Sequence, residues 1–367
     1  MTDSKLEQRR KLYYELNARI SQISNSQLQT MLAGDQMESS WGDTHTLDVA
    51  GSRVFVKRVP ITELEYADMF STRNFYDLPT FYNYPFNSGG FGVFRELVAH
   101  IKTTNWVLDG SIANFPMMYH YRIVPHAGER KPLEKARLDR YVEYWGGDAN
   151  VGRYILDRTN ANYELLLFLE HFPHGDVSRW LLQNPTRTQD VLDEMHATID
   201  FLNERKIMHF DSHFHNIVTD GEQSYLTDFG LVLDRSFELS PAEEEFYEQN
   251  SYYDYGNLLW SLVSSLASMY NMLEDEDKSR VTELYGLDEL PEFDVMVARL
   301  LNDLDKLTAS GIIKLDEGYA DMLVKYREII LLMYGYYATM RANNRKDDKF
   351  DNAELHRLLV ETGFLAD

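Results

Sequence analysis

The N-terminal part of the chain changes from a helical to an extended pattern of apolar residues. An apolar side chain recurs every three or four positions over residues 4–24, which predicts an amphipathic helix. Ser26 can cap a second short helix that Gly34 would end. The alternation at 46–49 and the apolar triplet at 54–56, separated by Ala-Gly-Ser, predict a β-hairpin.

The next segment mixes turn residues with aromatics. Asn, Pro and Gly are spread through residues 71–92, which predicts a long ordered loop whose aromatic side chains pack in the core. A helix is predicted from Phe94 and a strand over 117–124, followed by a charged, helical insertion through Arg140. The continuous apolar run at 165–169 is typical of a strand buried on both faces.

The second half of the chain is predicted to be almost entirely helical. Asp176 and Thr188 are candidate caps of two helices. Apolar positions at helical spacing continue through 257–272, 293–307 and 318–338. The fold class predicted from this order is α+β, with a β-rich first part and a helical second part.

Composition supports a large folded core. The chain has 367 residues, 44% of them hydrophobic and 13% aromatic, which exceeds one ordinary domain and argues against disorder. It contains no cysteine, so disulfides, thiolate metal sites and cysteine nucleophiles are excluded. No secretory signal and no apolar run long enough for a membrane span are found, so we expect a cytoplasmic protein.

Charge limits the class of partner. The 36 basic and 59 acidic side chains give a net charge of −23. A field of that sign disfavours nucleic acid and anionic membranes as partners, and it would favour a cationic substrate. Solubility is the commoner reason for such a charge, and nothing in the sequence indicates an oligomeric state.

The densest chemical signal lies between His209 and Gly230. Asp211 precedes Asn216 by five residues, and Asn216 precedes Asp228 by twelve. The Asp220-Gly221 turn predicts two short strands between them, which bring Asn216 and Asp228 to one end of a ribbon. Two carboxylates and an amide on neighbouring loops suit oxygen coordination of Mg²⁺.

This stretch resembles the protein kinase-like superfamily. His209-Phe210-Asp211 with Asn216 is similar to the catalytic loop of that superfamily, and Asp228-Phe229-Gly230 to its metal-binding motif. The resemblance implies a bilobal fold, with a β-rich N-terminal lobe and a helical C-terminal lobe. It covers roughly residues 36–272 and is closest to atypical bacterial-type protein kinases.

Other parts implied by the resemblance can be placed on the sequence. Val54-Phe55-Val56-Lys57 is similar to the strand whose lysine holds the nucleotide phosphates, and Glu96 is the candidate partner of that lysine. Glu63 and Glu65 are nearer alternatives in a segment less clearly helical. Glu170 and Phe172 stand in the segment similar to the hinge that meets adenine, and Gly42 stands where the glycine-rich phosphate loop is expected.

The resemblance further implies the roles of these residues. Asn216 and Asp228 would bind Mg²⁺, Lys57 would hold the phosphates of ATP, and Asp211 would orient and deprotonate an acceptor hydroxyl. His213 stands where protein kinases usually carry lysine and is counted with the catalytic residues. Asp254 resembles the aspartate that braces the catalytic loop, and capping a helix is its alternative role.

Three functions are carried forward from the sequence. The first is an ATP- and Mg²⁺-dependent protein serine/threonine kinase. The second is a small-molecule kinase of the aminoglycoside/choline phosphotransferase type, favoured by His213, the acidic balance and the absence of an Ala-Pro-Glu motif after Asp228. The third is a pseudokinase scaffold that binds a partner. A metal site of His209, Asp211, His213 and His215 is a further alternative interpretation of this loop.

The implied domain boundaries follow the predicted elements. Residues 1–35 form an N-terminal helical extension and 36–172 an N-terminal lobe, with insertions near 58–92 and 126–160. Residues 173–367 form the helical C-terminal lobe. The insertions are the expected partner-binding surfaces of a pseudokinase.

Overall fold

The computed structural model describes residues 3–32, 37–38, 43–127, 130, 132–286 and 293–366. The fold is α+β, with a small antiparallel sheet and many helices. The strands are β1 (Met37–Glu38), β2 (Asp43–Val49), β3 (Ser52–Ile61), β4 (Met118–Pro125), β5 (Tyr163–Glu170), β6 (Ile207–Met208), β7 (Ile217–Thr219), β8 (Ser224–Leu226) and β9 (Leu233–Asp234).

Helices dominate the second half of the chain, as the periodicity predicts. The helices are α1 (Asp3–Ser21), α2 (Asn25–Leu32), α3 (Glu63–Ala67), α4 (Val93–Asp109), α5 (Lys135–Tyr144), α6 (Ala149–Thr159), α7 (Val177–Leu181), α8 (Thr188–Glu204), α9 (Pro241–Gln249), α10 (Tyr253–Trp260), α11 (Leu262–Asn271), α12 (Asp275–Leu284), α13 (Phe293–Asn302), α14 (Leu304–Ser310), α15 (Glu317–Lys325), α16 (Arg327–Ala342) and α17 (Asn352–Glu361). No helix of the described ranges is long and apolar enough to cross a membrane.

The main sheet has the strand order β1-β2-β3-β5-β4, with antiparallel neighbours. The predicted hairpin is confirmed as β2 and β3, which turn at Ala50 and Gly51 with positive φ angles of 54° and 82°. The apolar run at 165–169 is confirmed as a buried strand, because β5 lies between β3 and β4. Its position inside the sheet explains why every one of those residues is apolar.

Each face of the sheet is covered by helices. Leu16 and Ile20 of α1 and Leu28 of α2 pack on the face that Val54 and Val56 present. The opposite face packs against Phe94 and Leu97 of α4 through Val59, Ile61 and their neighbours in β5. Side chains alternate along a strand, so Lys57 points to the same face as Val59, towards α4. The sheet therefore delivers Lys57 to the side where α4 carries Glu96.

Helix boundaries are where the sequence expectations were least exact. Asp176 caps α7 as predicted, through its carboxylate and the backbone N–H of Arg179 (3.2 Å). Thr188 does not cap α8; it is the first helical residue, and its hydroxyl donates to the carbonyl of Pro185. Likewise α2 begins at Asn25, before Ser26. A polar residue near a helix start gives the position only to within a residue or two.

The long predicted helical segments are each divided in two. The segment 257–272 is divided between α10 and α11, 293–307 between α13 and α14, and 318–338 between α15 and α16. Apolar periodicity reports which side of a segment is buried, and a break of one or two residues leaves both helices facing the same core. The predicted helix over 4–24 is α1, and Gly34 lies outside the described residues.

Candidate active site

Lys57, Glu96 and Asp228 meet in one ion-pair cluster. The Nζ atom of Lys57 lies 2.7 Å from Oε1 of Glu96 and 2.8 Å from Oδ1 of Asp228. Burial by itself would lower the pKa of Lys57, but the two carboxylates raise it, so the side chain stays charged. The predicted contact between Lys57 and Glu96 is therefore present, although the residues are 39 positions apart.

The carboxylates of this cluster are held in the ionised form. Burial by itself would raise the pKa of Asp228, but the charge and hydrogen bond of Lys57 and the backbone N–H of Gly230 lower it to about 2. Burial by itself would raise the pKa of Glu96, but Lys57 and His100 together lower it. The Asp228 side chain is 44% exposed, against 5% for Glu96. Asp228 is thus the carboxylate that remains accessible to a ligand.

The N-terminus of α4 is fixed by a carboxylate from the preceding helix. Glu65 of α3 forms a capping box with Thr62, and its Oε1 accepts the backbone N–H of Val93 at 2.9 Å. The segment around Glu65, less clearly helical from the sequence, is a short helix of five residues with this capping box at its start. Glu63 accepts a hydrogen bond from Asn162. These contacts occupy the alternative glutamates and leave Glu96 to pair with Lys57.

A buried ion pair ties α4 to the chain that follows Asp228. Arg95 lies 2.6 Å from Glu243 at the start of α9, and both side chains are at most 2% exposed. Arg95 also donates to the carbonyl of Thr72 at 2.7 Å. Glu243 belongs to the Ser-Pro-Ala-Glu stretch that only imitates an Ala-Pro-Glu motif. This ion pair connects α4, the helix that carries Glu96, to α9.

Asp254 braces the loop that carries Asp211. Its two carboxylate oxygens accept the backbone N–H groups of His209 and Phe210, each at 2.7 Å. Asp254 lies in the first turn of α10, where Tyr252 is the capping residue, so the bracing role is the observed one. Burial raises the pKa of Asp254 to about 7 against the opposing effect of these hydrogen bonds.

Aromatic packing and a neutral histidine complete the loop. Phe210 is fully buried and stacks on Tyr253 with the ring centroids 4.6 Å apart. Burial lowers the pKa of His209 to about 4, which keeps the imidazole neutral. Its Nε2 donates to the carbonyl of Thr227 (3.0 Å), and its Nδ1 accepts the backbone N–H of Asp211 (3.2 Å). His209 thus supports the backbone of the loop.

Asp211 is held between an amide and an imidazole. Asn216 donates through Nδ2 to Oδ2 of Asp211 at 2.8 Å, and Nε2 of His213 lies 3.1 Å from Oδ1. Burial would lower the pKa of His213, but the charge of Asp211 raises it. The predicted hairpin is β7 and β8, in register from Ile217 opposite Leu226 to Thr219 opposite Ser224. It returns the chain to Asp228 beside Asn216.

Two cavities meet at Lys57, Asn216 and Asp228, which line both of them. The first, the hinge-side cavity, has a volume of about 380 Å³ and is also lined by Glu170 and Phe172. The predicted hinge residues therefore face a cavity that reaches Lys57. The carboxylate of Glu170 is already engaged, because the guanidinium of Arg9 binds it at 2.7 Å.

The second, the cap-side cavity, has a volume of about 440 Å³ and contains Asp211 and His213 in its lining. Its lining also includes residues of the segment 85–92, here named the cap loop, and Arg158 of α6. Parts of the chain that precede β5 thus line the same cavity as Asp211. Gly42 and its neighbours Ser39 to Trp41 lie outside the described residues.

Tyrosine hydroxyls attach the cap loop to α5 and α6. Tyr141 donates to the carbonyl of Asn87 at 2.8 Å, and Tyr154 donates to the carbonyl of Gly89 at 3.3 Å. On its inner side the loop touches the turn after Asp228, where a Cβ atom on Gly90 would lie 2.0 Å from the carbonyl oxygen of Gly230. We call the cap loop together with α5 and α6 the cap.

Sequence reasoning missed Arg158, Arg9 and the cap. It correctly expected the aromatics between Phe75 and Phe91 to pack in the core, where Tyr82 is fully buried. The Ser-Gly-Gly run of the cap loop was a signal for close backbone approach, which it serves against Gly230. Arg158 and Arg9 carried no local signal, because an arginine on an amphipathic helix is usually exposed.

The histidine metal-site alternative receives no support from the described residues. In these parts of the chain no group of three or more His, Asp or Glu side chains is arranged to hold a metal ion. His215 instead lies 3.4 Å from Asp176, away from His209, which serves the loop backbone. A Mg²⁺ ion needs fewer protein ligands, since phosphates and water complete its coordination shell. Asn216 and Asp228, which line both cavities, fit that requirement.

A scan of the chain against known protein families found no match, and a search of curated proteins found none either. What the chain does is therefore inferred from its own residues.

Proposed function

We propose that the chain is an ATP- and Mg²⁺-dependent phosphotransferase with a bilobal protein kinase-like fold. The observation that carries this proposal is Lys57 between Glu96 and Asp228, at the junction of two cavities. In this proposal residues 36–172 form the N-terminal lobe and 173–367 the helical lobe. The extension 1–35 contributes α1 and α2, which pack on the sheet of the first lobe.

The hinge-side cavity suits the nucleotide. Leu169, Phe172 and Val218 give it apolar walls for a base, and Lys57 lies where phosphates would meet a cation. Asn216 and Asp228 would hold Mg²⁺, which neutralises charge on the transferred phosphoryl group.

Asp211 is the proposed base for the acceptor. An acceptor hydroxyl in the cap-side cavity attacks the γ-phosphorus of ATP, its proton passes to Asp211, and the bond from that phosphorus to the β,γ-bridging oxygen breaks to leave ADP. The contacts with Asn216 and His213 orient the carboxylate of Asp211. Catalysis by such a site consists mainly of positioning and charge stabilisation.

The cap favours a small molecule as the acceptor. A protein serine or threonine is the acceptor expected from the resemblance, and it requires Asp211 to face an open surface. Instead Asp211 lies in the lining of a cavity to which the cap loop and Arg158 also contribute. A small hydroxyl compound fits a cavity of about 440 Å³ better than a segment of a folded protein.

A scaffold function is disfavoured by the retained chemistry. A pseudokinase that only binds a partner through its insertions needs neither the Lys57–Glu96 pair nor the braced Asp211. Both insertions also contribute to the lining of the cap-side cavity, the first through the cap loop and the second through Arg158. The scaffold nevertheless makes a distinct prediction, namely no phosphoryl transfer.

The test is transfer of label from γ-labelled ATP in the presence of Mg²⁺. Purified protein is incubated with the small-molecule fraction or the protein fraction of a cell extract, beside Asp228→Ala and the exposed control Asp193→Asn. We expect label in the small-molecule fraction with the wild type and the control, and none with Asp228→Ala. Label in the protein fraction would instead establish a protein kinase. Absence of Mg·AMP-PNP binding would contradict the proposal altogether.

A further inference from the structure

The charge of the cap-side cavity differs from that of the whole protein. The chain carries a net charge of −23, whereas this lining contains Lys57, Arg158 and His213 against Glu96, Asp211 and Asp228. Lys57 contacts two of these carboxylates, and His213 lies 3.1 Å from the third. Every carboxylate of the described lining thus already has a cationic group or an imidazole beside it. A cationic acceptor would find no carboxylate in this described lining that lacks such a neighbour.

Arg158 is a built feature of this cavity. It extends from the last turn of α6, is only 7% exposed and donates to the hydroxyl of Tyr154 at 2.8 Å. That hydroxyl in turn donates to Gly89 of the cap loop, so the guanidinium is positioned by the same contacts that attach the cap. Burial would lower the pKa of Arg158, but Tyr154 and Glu65 raise it, and the group stays charged.

A charged arginine in the lining of a cavity can recognise anionic oxygens. The planar guanidinium matches phosphate and carboxylate groups better than any other side chain. An acceptor that is itself anionic also needs a cation nearby, since the γ-phosphate of ATP repels it.

We propose that the acceptor is a small hydroxyl compound that carries an anionic phosphate or carboxylate group, bound by Arg158 while Asp211 takes the hydroxyl proton. This inference rests on the proposed phosphotransferase function and replaces the cationic substrate suggested by the net charge of the chain. Arg158 thereby determines acceptor specificity, and it belongs to an insertion that sequence reasoning had assigned no chemistry.

The test measures anion binding to protein whose nucleotide site, including the position of the γ-phosphate, is already occupied. Wild-type protein saturated with Mg·AMP-PNP is dialysed to equilibrium against labelled inorganic phosphate and, separately, labelled acetate. We expect one anion bound per chain from at least one of the two solutions. Labelled choline, the cationic comparison, should not bind. Arg158→Gln should weaken anion binding at least tenfold, Arg158→Lys should retain part of it, and Arg153→Gln, an exposed arginine on the same helix, should bind as the wild type does.

Several outcomes would overturn the inference. Unchanged anion binding by Arg158→Gln would remove Arg158 from the site. Binding with Mg·ADP but not with Mg·AMP-PNP would place the anion at the γ-phosphate position instead. If Arg158→Gln does not fold, wild-type binding of choline in preference to both anions would equally contradict the inference. In all these cases nucleotide binding persists, whereas loss of Mg·AMP-PNP binding by the wild type would refute the proposed function itself.

Discussion

The hinge-side and cap-side cavities share Lys57, Asn216 and Asp228, but their remaining walls have different origins. The hinge-side walls come from strands of the sheet and the short connection after β5. The cap-side lining includes residues from two insertions, one before α4 and one between β4 and β5. Under the proposed function, the cap could therefore change the choice of acceptor while the shared centre keeps its chemistry.

The two sides are also held by different interactions. On the hinge side, Arg9 of α1 binds the carboxylate of Glu170 and the carbonyls of Ala113 and Phe115. On the cap side, the cap loop is held by hydrogen bonds from tyrosine hydroxyls and by a close backbone contact between Gly90 and Gly230. Ion pairs and close packing respond differently to substitution, so the two sides can be broken separately.

The largest difference between the two sides is expected from Asp211→Asn, because this substitution removes the proposed base and Asp211 lines the cap-side cavity only. Label transfer should fall about a thousandfold, because an amide cannot accept the hydroxyl proton. The affinity for Mg·AMP-PNP, measured by calorimetry, should change by less than about twofold, since Asp211 does not line the hinge-side cavity. A parallel loss of nucleotide affinity would show that the two sides are not separable.

Arg9→Met is expected to destabilise the hinge side. The arginine and Glu170 are about nine-tenths buried, so removal of one partner leaves a poorly solvated carboxylate and should lower the free energy of unfolding by about 3 kcal/mol. Arg10→Met is the matched control on the same helix. Its partner Glu7 is exposed, and the expected loss is about 0.5 kcal/mol. Equal urea-unfolding curves for the two variants would argue against a buried clamp at Glu170.

Gly90→Ala should break the cap side by sterics. Gly90 has a φ angle of +68°, and the added Cβ would meet the backbone of Gly230 at 2.0 Å. We expect a loss of about 2–3 kcal/mol in unfolding free energy. Gly147→Ala is the control, because its φ of +75° is similar while nothing lies within 4 Å of the added atom, and it should cost about 1 kcal/mol. Similar losses would mean that backbone strain alone matters.

The smallest effect concerns pH and the contact between His213 and Asp211. The folded-state pKa of His213 is raised by Asp211, so the folded protein binds this proton more tightly than the unfolded chain does. The resulting stability is present below the unfolded pKa of about 6.5 and is lost as pH rises through the folded value. The difference in unfolding free energy between the wild type and His213→Gln should therefore decrease by about 1 kcal/mol or less between pH 6 and pH 9. Divergence with rising pH would contradict the raised pKa.

Much of the site could be predicted because its parts are local in sequence. The spacing from Asp211 through Asn216 to Asp228 contains a turn and two short strands, and local turn chemistry sets that geometry. Strand alternation likewise fixed the face on which Lys57 lies, and the helix register of α4 fixed that of Glu96. The α+β class and the buried strand β5 followed from apolar periodicity.

By itself, then, the sequence determined the class of fold and the spacing of Asp211, Asn216 and Asp228, since period and turn act over a few residues, while Lys57 was placed through the resemblance of its strand. Only the tertiary structure decided what surrounds that centre. The pairs Arg95–Glu243 and Arg9–Glu170 join residues 148 and 161 positions apart, and the cap loop meets the turn after Asp228 across a similar distance in the chain. No local pattern encodes such contacts. They form only when distant segments pack together. In the cap, Tyr141 and Tyr154 of the second insertion bond the cap loop of the first, and Arg158 comes to line the same cavity as Asp211.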